Sequence, residues 1–202
     1  MAGTIENVPW AGAAKVFRWT VGTAACLVFG ADMAVDADGA PNAYHPDDKP
    51  GLDFLANAGH PGNWWGVVTD DGKSTGKPVI QPSGLFKGFY VSQTSLVDGS
   101  KNERDPARYV DAATVPYIAL PPSLLGGGSL ARPGDVLLAR NQKTKKSCAA
   151  IVAESGPKDK LGEGSLALSA ALGFGIDLRG QKAGTDDPIV TYLVFLKSSA
   201  QP

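Results

Sequence analysis

Short apolar runs recur along the chain, and glycine, proline or acidic residues separate them. Close to the N-terminus, AKVFRWTVG and TAACLVFG predict two strands that meet near Gly22, because β-branched and aromatic residues favour extended backbone. The run LDFLANAG predicts one or two helical turns. Three more runs predict short strands: GNWWGVVTD, GFYVSQTSLVD and YVDAATVPYIALP, the last interrupted by a proline.

The C-terminal third gives a sharper pattern. DVLLARN and KSCAAIVAES predict a hairpin across NQKTKK. EGSLALSAALG predicts a helix that ends at Gly173, and PIVTYLVFLKSS predicts a long buried strand. We therefore expect a mainly β protein with short helices, in which residues 1–202 form a single-domain six-stranded barrel.

Composition supports this picture and limits the classes of partner. The chain has 202 residues, which is enough for one sizeable core, and its 25 glycines and 15 prolines favour turns over long helices. The formal net charge of -1 gives no reason to expect nucleic acid. No apolar run approaches the roughly 18 residues of a membrane helix, so no membrane partner is expected. We interpret WTVGTAACLVFGA as a strand pair and not as a clear signal peptide.

Metal and thiol chemistry find little support in the sequence. His45 and His60 are the only histidines, and they show no zinc-ligand spacing. The DADG segment suggests a calcium loop, but Ala34 stands where that loop needs an oxygen ligand. Cys26 and Cys148 lie in apolar runs, which predicts buried, unreactive thiols; a disulfide between them and a cysteine nucleophile remain alternatives.

Carboxylates are the remaining candidates for chemistry. Glu154 and Glu163 flank the turn SGPKDKLG, while Asp36 and Asp38 lie in an acidic loop with Asp32. Hydrolysis of a glycosidic bond with inversion needs one carboxylic acid and one carboxylate, separated by about 6.5–9.5 Å so that a water fits. Two glutamates at the ends of neighbouring elements suit this requirement. The alternative is that Glu163 only caps the predicted helix.

The paired tryptophans Trp64 and Trp65 are candidates for sugar binding. Successive side chains of a strand point to opposite faces, so one indole is predicted to enter the core and the other to line a groove. Flat aromatic rings commonly stack on the apolar faces of pyranose rings. Internal packing of both tryptophans is the alternative.

Several longer blocks resemble one known family. They are DMAVDADGAPNAYHP, LANAGHPGNWWGVV, GFYVSQTSL, YVDAATVPYIALP, PGDVLLAR and AIVAESGPKDKLGEGSLALSAALG. In this order, from about residue 32 to residue 173, they are similar to the glycoside hydrolase family 75 chitosanases, and most of all to the bacterial ones. The resemblance implies a secreted, inverting endo-hydrolase of chitosan, with no metal or organic cofactor, and a barrel related to double-psi barrels.

The resemblance also implies site residues. The family's catalytic glutamate in its GEGS motif corresponds to Glu163, and its catalytic aspartate falls on Glu154, which is one methylene longer. Asp36 and Asp38 are the reserve candidates for the second carboxylate or for binding a substrate amine. We predict Glu163 as the acid and Glu154 as the base, although the roles could be reversed.

Other functions remain open at this stage. One is hydrolysis of peptidoglycan glycan strands by an antibacterial effector. Another is a barrel that binds a polysaccharide or a protein without chemistry, which the Glu154 departure leaves possible. A cysteine peptidase or amidase is a further alternative. For the hydrolase, we expect a polysaccharide as the partner and a monomer as the working form.

Overall fold

The computed structural model describes residues 3–126 and 130–199. The strands, in chain order, are β1 Thr4–Asn7, β2 Val16–Val21, β3 Ala24–Asp36, β4 Gly59–His60, β5 Asn63–Trp64, β6 Tyr117–Leu120, β7 Val136–Asn141, β8 Ser147–Ser155, β9 Glu163–Ser165, β10 Gly175–Asp177 and β11 Lys182–Phe195. The helix α1 is Leu166–Leu172, and 3₁₀ turns lie at Leu55–Asn57, Pro106–Arg108 and Pro122–Leu124.

Six strands close into a barrel, which confirms the predicted fold class of a mainly β, single-domain barrel. The hydrogen-bonded order is β3, β9, β6, β8, β7 and β11, and β11 pairs back onto β3. Two of these pairings are parallel, β3 with β9 and β6 with β8, and the others are antiparallel. The strands β1, β2 and β10 extend the sheet beyond the barrel.

The barrel interior is filled by the inward-facing residues of its strands. Leu27, Phe29 and Met33 of β3 alternate with outward-facing residues and are buried, as the twofold period of a strand requires. Phe29 stacks on Tyr192 of β11 with the ring centroids 5.1 Å apart. Helix α1 closes this core from one side with Leu168 and Leu172. The barrel is therefore a packed core without a central channel.

Residues 37–116 form a long excursion between β3 and β6. They build a second buried cluster, in which Ala43, Tyr44, Trp64 and Val67 pack around Tyr117 of the barrel. The strand predictions for GNWWGVVTD and GFYVSQTSLVD were largely wrong, since only β5 and isolated bridges such as Val67 with Ser92 form there. Turn-forming residues interrupt these runs, so buried side chains and not long ladders fix their course.

The predicted helix begins later than expected. Glu163 belongs to β9, and Ser165 is the N-cap of α1, where its hydroxyl accepts a hydrogen bond from the backbone N–H of Leu168 at 3.1 Å. The C-terminus agrees with prediction: Gly173 follows α1 with φ 84°, the left-handed conformation typical of a glycine stop. The helix-cap alternative for Glu163 is therefore wrong.

The hairpin of β7 and β8 and the long strand β11 confirm two predictions from the apolar pattern. Cys26 and Cys148 are free thiols, so the disulfide alternative is wrong. Burial raises the pKa of both thiols, which disfavours a thiolate nucleophile. None of the helices in the described part of the chain is long and apolar enough to cross a membrane.

Candidate active site

A groove lies beside the barrel, against the last residues of β3 and β8 and the first residue of β9. Its volume is about 600 Å³. The excursion of residues 37–116 supplies the opposite wall. The polar and aromatic lining residues are Asp36, Asp38, Tyr44, Asp53, Asn57, Trp65, Glu154, Ser155, Lys160 and Glu163. Of the predicted site residues, all but Trp64 line this groove.

Glu163 enters the groove from the first position of β9, opposite Ala34 of β3. No hydrogen bond joins its half-buried carboxylate to another of the described residues. One of its oxygens lies close to Gly156, and a Cβ on that glycine would be only 3.0 Å away. Burial and the negative charges of Glu154 and Asp32 raise the pKa of Glu163, while Lys160 lowers it; the net direction is upward.

Glu154 shares the groove with Glu163 but has a different environment. Its carboxylate accepts three hydrogen bonds, from the Ser95 hydroxyl at 2.6 Å and from the backbone N–H groups of Ser95 and Ser155, both at 2.8 Å. Burial raises the pKa of Glu154, and these three hydrogen bonds oppose that rise because they favour the ionised form. The two glutamates therefore differ in how well the protein solvates a negative charge.

Asp36 is buried behind the glutamates at the end of β3. Its two oxygens lie 2.8 Å from the backbone nitrogen of Asp38 and 3.0 Å from the Tyr117 hydroxyl. Burial, together with the charges of Glu163 and Glu154, raises the pKa of Asp36 to about 7 despite these contacts. At neutral pH Asp36 is therefore protonated in a large fraction of molecules.

Asp38 is held in place by the excursion. Its Oδ1 accepts hydrogen bonds from the Tyr44 hydroxyl at 2.8 Å and, more weakly, from the Ser92 hydroxyl at 3.4 Å. Burial and the nearby charge of Asp36 raise the pKa of Asp38 well above its ordinary value. Among the described residues, no donor contacts its Oδ2, so this oxygen is free for a ligand.

The two tryptophans take different places. Trp65 is 52% exposed and lines the groove, and its indole N–H donates to the carbonyl of Asn57 at 2.8 Å. Trp64 is 7% exposed and packs in the second core cluster near Tyr90. As successive residues they face opposite sides of the backbone, so Trp64 is not a residue of this groove, contrary to its assignment as a substrate contact.

Several groove residues could not be found from the sequence. Tyr44, Asp53 and Asn57 come from the excursion, and Ser95 reaches Glu154 across 59 positions of the chain. Asp53, Asn57 and Ser95 have short polar side chains that are typical of ordinary turns, and Tyr44 resembles a core aromatic residue. Ser155 and Lys160 lie in the predicted turn SGPKDKLG between the glutamates, so the position of that turn already indicated them.

The donor set of the groove does not suggest a metal centre. Within residues 3–126 and 130–199, no group of three or more His, Cys, Asp and Glu side chains is placed to hold a metal ion. What the arrangement can do is transfer protons between carboxyl groups and a ligand lying along Trp65. Neither protein-family models nor curated proteins give a match to this chain.

Proposed function

We propose that the protein is a glycoside hydrolase that cleaves β-1,4-glucosamine linkages of chitosan with inversion. The observation that carries the proposal is the pair Glu154 and Glu163, which line one groove in opposite hydrogen-bonding environments. Inverting hydrolysis uses two carboxyl groups, one protonated and one ionised. Paired carboxyl groups whose environments push their pKa values apart are the usual source of such a division of roles.

The two environments also support a division of roles between the glutamates. Glu163 accepts no hydrogen bond from the described residues, and burial, with the charge of Glu154 adding to it, raises its pKa, so it is the general acid that protonates the leaving oxygen. Glu154 has three donors that stabilise its negative charge, so it is the general base that activates water. Asp36 is less suited to act as base because burial and the charges of Glu163 and Glu154 raise its pKa to about 7, which favours its protonated form.

The charges of the lining support a cationic glycan as substrate. Five acidic side chains, Asp36, Asp38, Asp53, Glu154 and Glu163, line the groove, against one cationic side chain, Lys160. Asp36, Asp38 and the proposed acid Glu163 add little charge while protonated, so the negative charge comes mainly from Asp53 and Glu154. Glucosamine units carry ammonium groups, and a groove of negative potential attracts them. Trp65 supplies a flat apolar surface for one ring. Substrate-binding roles follow for Asp38 and Trp65, whereas Trp64 has none.

The first experiment compares the wild type with Glu163→Gln and Glu154→Gln on soluble chitosan, following reducing ends. We expect each variant to lose about 10²–10⁴-fold in kcat, the range typical of a lost general acid or base. Asp159→Asn, on the exposed turn between the two glutamates, is the matched control and keeps wild-type turnover. Wild-type turnover in Glu163→Gln would remove this residue from the mechanism.

A parallel assay on purified cell wall and on glucosamine oligomers separates the other candidate functions. Reducing ends released only from cell wall would replace chitosan by peptidoglycan as the substrate. Binding of glucosamine oligomers without any shortening would leave a polysaccharide-binding barrel. The product anomer, followed by NMR during the first minutes, tests inversion directly.

A further inference from the structure

We propose that Arg179 and Asp53 are positioning residues that hold the indole of Trp65 as the platform for a sugar ring. The inference rests on the function proposed above and adds a determinant of substrate binding that lies partly outside the groove. Arg179 comes from the turn between β10 and β11, far along the chain from the groove wall that it contacts. The connection runs through three steps.

The first step joins Trp65 to Asn57. The indole N–H donates to the Asn57 carbonyl at 2.8 Å, and the Trp65 backbone N–H donates to the Ala58 carbonyl at 3.0 Å. The only polar atom of the indole is thus satisfied inside the protein, and the 52% of the residue that remains exposed includes its apolar ring surface. The orientation of the ring therefore follows the position of the turn Leu55–Asn57.

The second step joins that turn to Asp53. The Asn57 side-chain amide lies 2.9 Å from both carboxylate oxygens of Asp53, and the Phe54 backbone N–H donates to one of them at 2.7 Å. Asp53 is 4% exposed, so its carboxylate is largely shielded from water although Asn57 is exposed. Although Asp53 lines the groove, its oxygens are already engaged, so it positions the wall and does not act as a ligand for substrate.

The third step joins Asp53 to the barrel through Arg179. Its guanidinium donates to the carbonyls of Gly51 at 2.5 Å and Asp53 at 2.6 Å, and it contacts both the carbonyl and the carboxylate of Asp48, the latter at 3.0 Å. The same group lies over the Phe54 ring, 4.8 Å from its centroid. One planar fork therefore fixes several points of the segment 48–54, a geometry that a lysine ammonium cannot reproduce.

This cross-link matters because the segment 48–58 has little regular structure of its own. Its only regular element is the single 3₁₀ turn Leu55–Asn57, which buries none of its own residues. The glutamates, in contrast, are fixed on barrel strands. Arg179 therefore sets the position of the sugar platform relative to the catalytic pair.

The test uses Glu163→Gln as an inactive background and measures binding of a glucosamine hexamer by isothermal titration calorimetry, which does not depend on Trp65 as a reporter. We expect Arg179→Met to weaken binding about tenfold and Arg179→Lys to recover only part of the loss. Asp53→Asn should weaken binding in the same direction, and it replaces Arg179→Met if that variant fails to fold. Arg140→Met, an exposed arginine on β7, is the matched control and leaves binding unchanged.

A double-mutant cycle distinguishes positioning of Trp65 from a general structural role. With Trp65→Ala already present, Arg179→Met should cause no further loss of binding. In the otherwise wild-type enzyme, Arg179→Met should raise KM about tenfold and change kcat less than twofold. An equal loss in the Trp65→Ala background, or a fall in kcat without a change in KM, would overturn the inference.

A readout without substrate keeps this inference separate from the proposed function. Subtracting the spectrum of each Trp65→Phe counterpart isolates the Trp65 emission, and we expect Arg179→Met to increase its quenching by acrylamide. If the wild type binds no glucosamine oligomer, the proposed function fails while this readout still tests the cross-link. Unchanged quenching in a folded Arg179→Met variant would overturn the positioning role.

Discussion

The hydroxyl of Tyr117 has one proton but two acceptor oxygens within reach. It lies 3.0 Å from Oδ2 of Asp36 and 2.9 Å from the carbonyl of Asp38. One proton cannot make a linear hydrogen bond to both oxygens at once, so one of the two contacts would be weak. If Asp36 is protonated, it donates to the Tyr117 oxygen, and Tyr117 donates to the Asp38 carbonyl, so every contact is satisfied. The geometry thus gives the same answer as the raised pKa of Asp36.

This arrangement predicts how stability depends on pH. The pKa of Asp36 is about 7 in the folded protein, against an ordinary value of 3.8. A carboxyl group with a raised folded-state pKa contributes stability that is complete below its unfolded pKa and is lost as pH rises through the folded value. The wild type should therefore lose part of its unfolding free energy between about pH 4 and pH 7.

Asp36→Asn should remove the part of that loss that Asp36 causes, because an amide donates to Tyr117 and accepts from Asp38 as the protonated acid does. The raised pKa values of Asp38, Glu154 and Glu163 leave a smaller loss in the variant. We expect the variant to match the wild type near pH 4 and to exceed it by about 2–4 kcal/mol at pH 8, by urea unfolding. Exposed Asp159→Asn is the control and should follow the wild-type curve. A variant less stable than the wild type at pH 8 would contradict the protonated state. Retained turnover would also support Glu154 as the base.

At the residue scale, the sequence predicted the acidic side chains of the groove and one of its aromatic residues. The pair Glu154 and Glu163, with Asp36, Asp38 and Trp65, does share one groove. The residues that tune them could not be predicted, because contacts such as Ser95 with Glu154 join segments far apart in the chain. Only the folded excursion brings them together.

At the scale of elements, the connection between β8 and β9 decides where Glu163 points. Gly162 has φ 92°, and a Cβ there would lie 2.3 Å from a carboxylate oxygen of Asp32, so no larger residue fits. Gly156 differs, since a Cβ there would lie 3.0 Å from a Glu163 oxygen and 3.2 Å from the Ala119 side chain. The two glycines therefore have different roles: Gly162 allows the backbone turn, and Gly156 leaves room for the carboxylate of the proposed acid.

The variant Gly156→Ala tests whether Gly156 leaves room for the Glu163 carboxylate. The added methyl should displace the Glu163 carboxylate by a few tenths of an ångström and lower kcat about tenfold, since proton transfer depends steeply on position. The unfolding free energy should change by less than about 1 kcal/mol, because the nearest obstacle is the end of a flexible side chain. Gly99→Ala is the matched control, because a Cβ there would meet no other group within 4 Å. An unchanged kcat would show that Glu163 tolerates the contact.

The apolar pattern predicted those elements that bury one side against the barrel. The strands β2, β7 and β8 lie where apolar runs predicted them. The predicted cores of β3 and β11 are also correct, but β3 continues to Asp36, through residues predicted as an acidic loop, and β11 begins at Lys182, before the predicted run. The start of α1 was placed too early, because a glutamate before an Ala- and Leu-rich run resembles a first-turn residue although Ser165 provides the cap. The apolar pattern did not predict the structure of the excursion, because isolated bridges and not long ladders connect its segments.

At the scale of the whole molecule, a formal net charge of -1 conceals an uneven distribution. The groove collects five acidic side chains and one lysine, so its local potential is negative although the chain is almost neutral. Composition could not predict this separation, because it follows from the way the barrel ends and the excursion meet.

The uneven distribution predicts a dependence on salt. We expect KM for glucosamine oligomers to rise about tenfold between 0.05 M and 0.5 M sodium chloride, because ions screen the attraction of ammonium groups to the groove. Steady-state kinetics at constant pH measure the effect. Fully N-acetylated oligomers, which lack those ammonium groups, are the control and should show little change. If the KM for glucosamine oligomers does not change with salt concentration, electrostatic binding is contradicted.

The excursion of residues 37–116 leaves and rejoins the sheet at β3 and β6, which only β9 separates. Its two ends are thus close together on the closed barrel, and both glutamates lie on strands of that barrel. Such an insertion can diverge or be exchanged between relatives without dismantling the scaffold, so recognition and bond cleavage can evolve at different speeds in this architecture. A chimaera carrying a foreign segment at these two junctions would inherit the donor's preference for sugars, and it would keep the host's proton-transfer pair if the segment supplies donors in place of Ser95.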